Sequence, residues 1–153
     1  MLDAQDRLIA GALQENNRLG VDDIAAKAGL SPSAVHRRIA RMRETGAISA
    51  DVSTLNPKAF DLGMTFIVEI ALEKVRVQEV TAIKKRLKAA PEVQQIYNVT
   101  GDVDLTLIVL ARDVEHFEKI SRELFSADPH VRRYRTSVVM DRVKTGQTIP
   151  LGD

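Results

Sequence analysis

Four arginines and one histidine fall between Ser31 and Arg43, with no carboxylate among them. A guanidinium is a permanent cation with a planar fork of donors, suited to phosphate oxygens and to base edges in the major groove. At 100° per residue, Val35, Ile39 and Met42 fall on one stripe of a helix. Ser33, Arg37, Ala40 and Arg41 lie opposite, with His36 and Arg38 at the flanks. A solvated helix normally mixes both signs of charge and gains intrahelical pairs. This one carries donors only. Small Ser33 and Ala40 let the backbone sit deep in a groove while Arg37 and Arg41 reach bases or phosphates. Ser31, Ser33, His36, Arg37, Arg38 and Arg41 are therefore the candidate contacts to double-stranded DNA. A merely solvated basic face is the alternative, and it leaves the preceding turn unexplained.

That turn is what positions the face. Asp3 suits the cap of a first helix and Asp6 its positive start, and Leu8, Ile9, Ala12 and Leu13 then recur at helical spacing. Asn16 to Gly20 break the pattern. A short second helix is predicted with Asp22 as cap, with Ile24, Ala25 and Ala28 inward, and with Gly29 ending it. Ser31-Pro32 opens the third helix with a cap residue and a proline at the first helical position. Short helix, glycine turn and longer helix make the pattern of a helix-turn-helix. Ala25 allows close approach, Gly29 makes the turn, and Val35 fills the space between the helices. Ile48 to Leu55 alternates weakly, which predicts a small wing or a linking strand. Asn56-Pro57 then punctuates the chain. The expected domains are 1–56 and 57–153.

The second half changes period. Met64 to Leu72 is rich in β-formers, and Val77 to Ala89 is helical, with Val80, Ile83 and Leu87 in a stripe. Val93–Thr100 and Val103–Ala111 are predicted as a hairpin around Gly101-Asp102. Val114 to Phe125 is a second amphipathic helix and Val131 to Met140 a last strand. The order β-α-β-β-α-β is that of a ferredoxin-like fold. The expected class is α+β, a winged helix-turn-helix followed by a ferredoxin-like effector domain. In the strand from Asp104 to Ala111, Leu105, Leu107 and Val109 point one way while Ile108 and Leu110 point the other. Helices cover only one face of such a sheet, so the second apolar face predicts an obligate homodimer.

Composition sets limits. The chain has 153 residues, 44% hydrophobic and 28% charged, and no cysteine, which excludes disulfides and thiolate metal sites. No apolar run approaches the roughly 20 residues that span a bilayer, and the N-terminus lacks a signal-peptide pattern. A cytoplasmic location and no membrane partner are the expectation. A net charge of only +1 means that any DNA argument rests on where the charge sits.

The residues together resemble the leucine-responsive regulator/asparagine regulator family, the feast/famine transcription regulators of bacteria and archaea. The resemblance runs through Leu2-Asp3 with Asp6, Leu13 to Asn16 with Arg18, and Ile24-Ala25 through Ser31. It continues through Arg38-Ile39 with Arg41, Gly46 to Ile48, Asn56-Pro57 and Leu62-Gly63, then Val99 to Asp104 and Thr136 with Lys144. Met42, Asn17 and the Ala10-Gly11 pair depart from the family's usual residues. The resemblance implies a dimer assembled into octamers or similar rings, with a small effector, usually an amino acid, bound against the loop matching Thr100 to Asp104. Gly101 would allow close backbone approach and Asp102 or Asp104 would receive an α-ammonium. Thr136 and Ser137 would supply hydroxyls. A plain hairpin turn at Gly101-Asp102 is compatible with that role.

Enzyme readings find little footing. His36, His116 and His130 lie on separate elements without metal-ligand spacing, and no phosphate-cradling glycine loop or nucleophile elbow occurs. Neither a metal nor a cofactor is expected. Sirohaem decarboxylases resemble the same two-part fold, and Arg132, Arg133 and Arg135 would then bind propionates. A complete basic reading helix argues against that alternative, while a nucleoid-organising protein would share it.

Overall fold

The computed structural model describes residues 2–73 and 76–152, and the chain divides into two compact units. The first comprises Met1–Thr54 together with Lys144–Asp153, the second Leu55–Val143. Residues 144–152 thus group with the helical unit and not with the domain expected over 57–153.

Three helices build the first unit: α1 (Ala4–Glu15), α2 (Val21–Ala28) and α3 (Pro32–Glu44). A reciprocal capping box starts α1, in which the Asp6 N–H donates to Asp3 Oδ1 at 2.8 Å and the Asp3 N–H to Asp6 Oδ2 at 3.1 Å. Gly20 caps α2, so Asp22 sits inside its first turn, favourable to the helix dipole but not the cap expected of it. Gly29 closes α2 at φ 65°, the left-handed conformation that a Cβ disfavours. Ser31 Oγ accepts the Ala34 N–H, and Pro32 opens α3. The core is Ile9, Ala12, Ile24, Ala25, Ala28, Val35, Ile39 and Met42. Leu8, expected inward, is 55% exposed, and a carboxylate, Asp6, is fully buried instead. Residues 49–56 form no strand, so the predicted wing is absent from the described residues. With no partner strand nearby in sequence, eight weakly alternating residues have nothing to pair with.

The second unit is a four-stranded antiparallel sheet: β1 (Met64–Leu72), β2 (Val93–Asn98), β3 (Leu105–Ala111) and β4 (Val131–Val138), in the order β2-β3-β1-β4. Helix α4 (Val77–Ala89) follows β1, and α5 (Val114–Ser121) follows β3. Helix α5 does not continue as regular α-helix to Phe125. It widens into a π-helical turn at Arg122–Ser126. Phe66, Val68 and Ile70 of β1 pair with Val109, Leu107 and Leu105 of β3 and face the helices, where Ile83, Leu87, Phe117, Ile120 and Phe125 close the core. An aromatic chain runs through it, with Phe66 stacked on Phe117 at 3.9 Å and Phe125 edge-on to Tyr134 at 5.0 Å. Ile67, Ile108 and Leu110 alternate to the opposite face, as the two-faced strand pattern required.

Gly29 offers a test of the turn. No atom lies within 4 Å of a Cβ built there, so Gly29→Ala has only the left-handed backbone to penalise it. We expect a loss of about 1 kcal/mol of stability, measured by equilibrium urea denaturation.

Candidate nucleic-acid interface and effector cavity

Helix α3 presents Ser33, His36, Arg37 and Ala40 to solvent, opposite buried Val35, Ile39 and Met42. Its arginines are not equivalent. Arg38 Nη1 donates to Asp3 Oδ2 at 2.7 Å and to Asp6 Oδ1 at 2.8 Å, while Arg41 Nη2 donates to Asp6 Oδ2 at 2.6 Å. Arg43 makes a two-pronged pair with Asp51 at 2.8 and 3.2 Å. Among the described residues Arg37 alone of the four has no ion-pair partner. Arg38, 22% exposed, is therefore a clamp between α3 and α1 rather than a free reading group. Arg41 keeps 51% of its side chain exposed and has nitrogens to spare. Ser31 is committed to the cap of α3, its hydroxyl 3.1 Å from that of Ser33.

Asp6 is the group that sequence patterning missed. Burial opposes its charge, but hydrogen bonds from Arg38 and the Asp3 N–H, with the attraction of Arg41, outweigh burial and hold its pKa below the usual value of 3.8. Asp3 is lowered too, chiefly by the Asp6 N–H and then by Arg38.

In the second unit the loop between β2 and β3 exposes Thr100, Gly101 and Asp102. Gly101 has φ 122°, a conformation open to glycine and rarely to other residues, and nothing lies within 4 Å of a Cβ there. Asp104 is less free than its position in the sequence implied. Its carboxylate accepts the Leu72 N–H at 2.7 Å, and its own N–H donates to Ile70 O at 2.8 Å. Thr136 and Ser137 do not converge on this loop. They pair with Val68 and Ile67, so they point to opposite faces of β4, several residues along the strand from the loop end. That is a separation on the order of 10 Å along and across the sheet.

Thr136 joins a different feature. Phe117, Glu118, Ser121, Arg122, Ser126, Tyr134 and Thr136 line a cavity of about 310 Å³ between α5, its π turn and edge strand β4. The Ser121 hydroxyl donates to Tyr134 Oη at 3.2 Å, whereas Thr136 Oγ1 is buried without a hydrogen-bond partner. An orphaned hydroxyl costs desolvation free energy that a ligand with a polar atom recovers. Glu118 and Arg122, four residues apart, bring both signs of charge to the same rim. The periodicity of α5 suggested Phe117 as core, but nothing local marked the π turn that opens this space. Arg135 pairs with Glu69 at 2.6 Å and Arg133 reaches Asp102 O at 3.4 Å, both on the exposed edge strand β4. No cluster of metal-ligating side chains occurs among the described residues, and no helix is long and apolar enough to cross a membrane.

Comparison with known proteins gives the same division. Residues 2–43 match the AsnC-type helix-turn-helix domain and residues 65–149 the Lrp/AsnC ligand binding domain. The chain is 42% identical to a helix-turn-helix-type transcriptional regulator of Sinorhizobium fredii, over 98% of this chain and 89% of that protein. It is 34% identical to the proline dehydrogenase transcriptional activator of Rhodobacter capsulatus, over 94% of this chain and 93% of that one. Among solved structures, an AsnC family transcriptional regulator from Agrobacterium tumefaciens superposes with a TM-score of 0.92 at 29% identity, covering 98% of this chain and 97% of that one. A Neisseria meningitidis transcriptional regulator solved as an L-Met complex shares the fold at TM-score 0.92 and 24% identity, covering 99% and 97%.

The Asp6 network generates a pH prediction. Asp3 and Asp6 have folded pKa values below their unfolded ones, so their contribution is complete above about pH 4 and is lost as pH falls through the lowered values. Asp6→Asn should cost about 2 kcal/mol at pH 7, a figure reduced because Arg41 is half exposed. Urea midpoints measured from pH 7 to pH 3 should fall less steeply in the variant than in the wild type.

Proposed function

The chain belongs to the Lrp/AsnC family of helix-turn-helix transcription regulators, and from that premise we propose a homodimeric regulator of the cytoplasm, reading specific double-stranded DNA under the control of an amino acid. The observation that carries the reading is α3. One uncompensated guanidinium, Arg37, stands beside Ser33, His36 and Ala40 on the face opposite the core, with Arg41 half exposed at its edge. Such a face admits the close approach that base contact needs, and its charge supplies the phosphate attraction.

Arg38 acts differently in this reading. Held by Asp3 and Asp6, it sets the angle of α3 and contributes little direct contact. Ser31, Ser33 and His36 flank Arg37 as secondary contacts. The apolar second face of the sheet, with Ile67, Ile108 and Leu110, supports dimerisation by sheet packing, and the family resemblance supports assembly of dimers into octamers or similar rings.

For the effector, two places contribute. Thr100, Gly101, Asp102 and Asp104 form the exposed loop that the resemblance marked. The cavity beneath β4 offers a charge of each sign, four hydroxyls and an aromatic wall, which suits a zwitterion with a short side chain. Thr136 belongs to the cavity rather than to the loop, and Ser137 to the opposite face. The L-Met bound by the Neisseria protein and the proline-linked role of the Rhodobacter activator are consistent with an amino-acid ligand.

Two measurements test this. Arg37→Ala should weaken binding to a generic duplex about tenfold and reduce the slope of log K against log salt by about one. An unchanged slope would move the reading surface elsewhere. Thr136→Val removes an unpartnered hydroxyl, so it should leave unliganded stability equal or higher by up to about 1 kcal/mol. It should also abolish the thermal stabilisation that the cognate amino acid gives the wild type. Retained stabilisation would take the effector out of the cavity.

A further inference from the structure

Near the C-terminus, Ile149 and Leu151 lie on α1 along a stripe that the helical core does not use. Asp6, Ile9 and Ala12 of α1 face the core, whereas Arg7, Gly11 and Gln14 recur at i, i+4 and i+7 on another face. Gln14 meets the tail as a backbone strand would. Its Nε2 donates to Ile149 O at 3.0 Å, and its Oε1 accepts the Ile149 N–H at 3.0 Å. Arg7 Nη1 donates to Leu151 O. Between them Gly11 leaves the helix surface bare, and Leu151 Cδ1 lies 3.6 Å from where a Cβ would stand. Glycine inside a helix costs propensity. Here its bare surface faces Leu151 at van der Waals distance.

We propose that residues 144–153 are a releasable strap that carries the state of the effector unit to the reading helix. Three observations lead there. The strap follows β4 in the chain after only residues 139–143, and β4 supplies Tyr134 and Thr136 to the cavity. At its other end the strap is held by α1, the helix whose Asp6 clamps Arg38 and Arg41 of α3. Its hold is weak enough to let go: the hydrogen bonds are solvent-exposed and Ile149 is 60% exposed. Exposed bonds of this kind exchange readily for water, which a switch requires and a structural anchor does not. The strap rests on the effector reading above, because it transmits what the cavity senses.

The test uses the full-length protein, a truncation ending at Thr145, and Gly11→Gln. The last variant fills that bare surface while raising helix propensity, so α1 stays folded with the tail displaced. Each proteinogenic amino acid is added singly at millimolar concentration. Thermal stabilisation reports binding, and anisotropy on a labelled generic duplex reports DNA affinity. Both variants should keep the amino-acid-induced stabilisation and a DNA affinity within about threefold of wild type without amino acid. Both should lose the change in DNA affinity that the amino acid causes in the wild type. A full response in both variants would overturn the strap, as would an Ile149 N–H exchanging at the unprotected rate in the unliganded wild type. If no amino acid stabilises the wild type, the effector reading itself falls, and the strap falls with it, on a measurement made before the tail is touched.

Discussion

One buried carboxylate organises the DNA-binding unit. Asp6 has no exposed surface, yet it accepts from Arg38, from Arg41 and from the Asp3 backbone. An isolated charge in that position would be expelled or neutralised. Three donors converge on it because α1 and α3 cross there, and they cross at that angle because the carboxylate must be satisfied. The apolar core presses α1 and α3 together through Ile9, Val35, Ile39 and Met42. Charge-assisted hydrogen bonds are directional and do not tolerate sliding. The reading helix thus owes its presentation to a polar contact and its cohesion to an apolar one.

This division sorts the arginines. Seen in sequence, Ser31 to Arg43 contains no acid; in space, three of its four arginines have one, supplied by Asp3, Asp6 and Asp51. An acid-free stretch reports only what lies within a turn or two. It is silent on carboxylates arriving from more than thirty residues away, as Asp3 and Asp6 do for Arg38. The same nonlocality explains Leu8. Periodicity places an apolar residue inward by default; Ile9 and Ala12 follow it, but Asp6 with its ion pairs holds the buried position one turn before Ile9, and Leu8 stays exposed. In the second unit, β1 and α4 were legible to the residue, because a nine-residue run of β-formers and a thirteen-residue amphipathic helix each declare their own period. The π turn at Arg122–Ser126 declared nothing. Its sequence fits an α-helix equally well, and the widening answers to Phe125 seating between Phe117 and Tyr134. The tail on α1 was equally hidden, since backbone-to-glutamine pairing leaves no pattern in the tail. Only Gly11, out of place in a helix, hinted at it.

The second unit carries its own tension. Its sheet has helices over one face only; the other carries Ile67, Ile108 and Leu110 beside the Glu69–Arg135 pair, and edge strand β4 is mostly exposed and rich in arginine. Charged side chains on an edge discourage pairing with a stray strand. Arg135 held by Glu69 and Arg133 directed at Asp102 O keep that edge polar and ordered. An edge strand also has fewer constraints than a central one, since hydrogen bonds hold it from one side only. The strand that lines the cavity is one of the two edge strands of the sheet, β2 being the other.

Binding energy sets what a ligand there can accomplish. Tight binding alone shifts no equilibrium; only a difference in affinity between two arrangements does. Thr136 Oγ1 is buried without a hydrogen-bond partner, a desolvation cost that the polar atom of the proposed effector would remove. Relief of one such group is worth on the order of 1–2 kcal/mol, which moves an equilibrium about five- to thirtyfold. A shift of that size is too small to unfold or rebuild a domain. It is comparable with what a few exposed hydrogen bonds, such as the three that hold the tail on α1, contribute. An effector acting as proposed would therefore act by small displacement and not by rearranging the core, where stacked Phe66 and Phe117 and fully buried Leu107 and Val109 resist change.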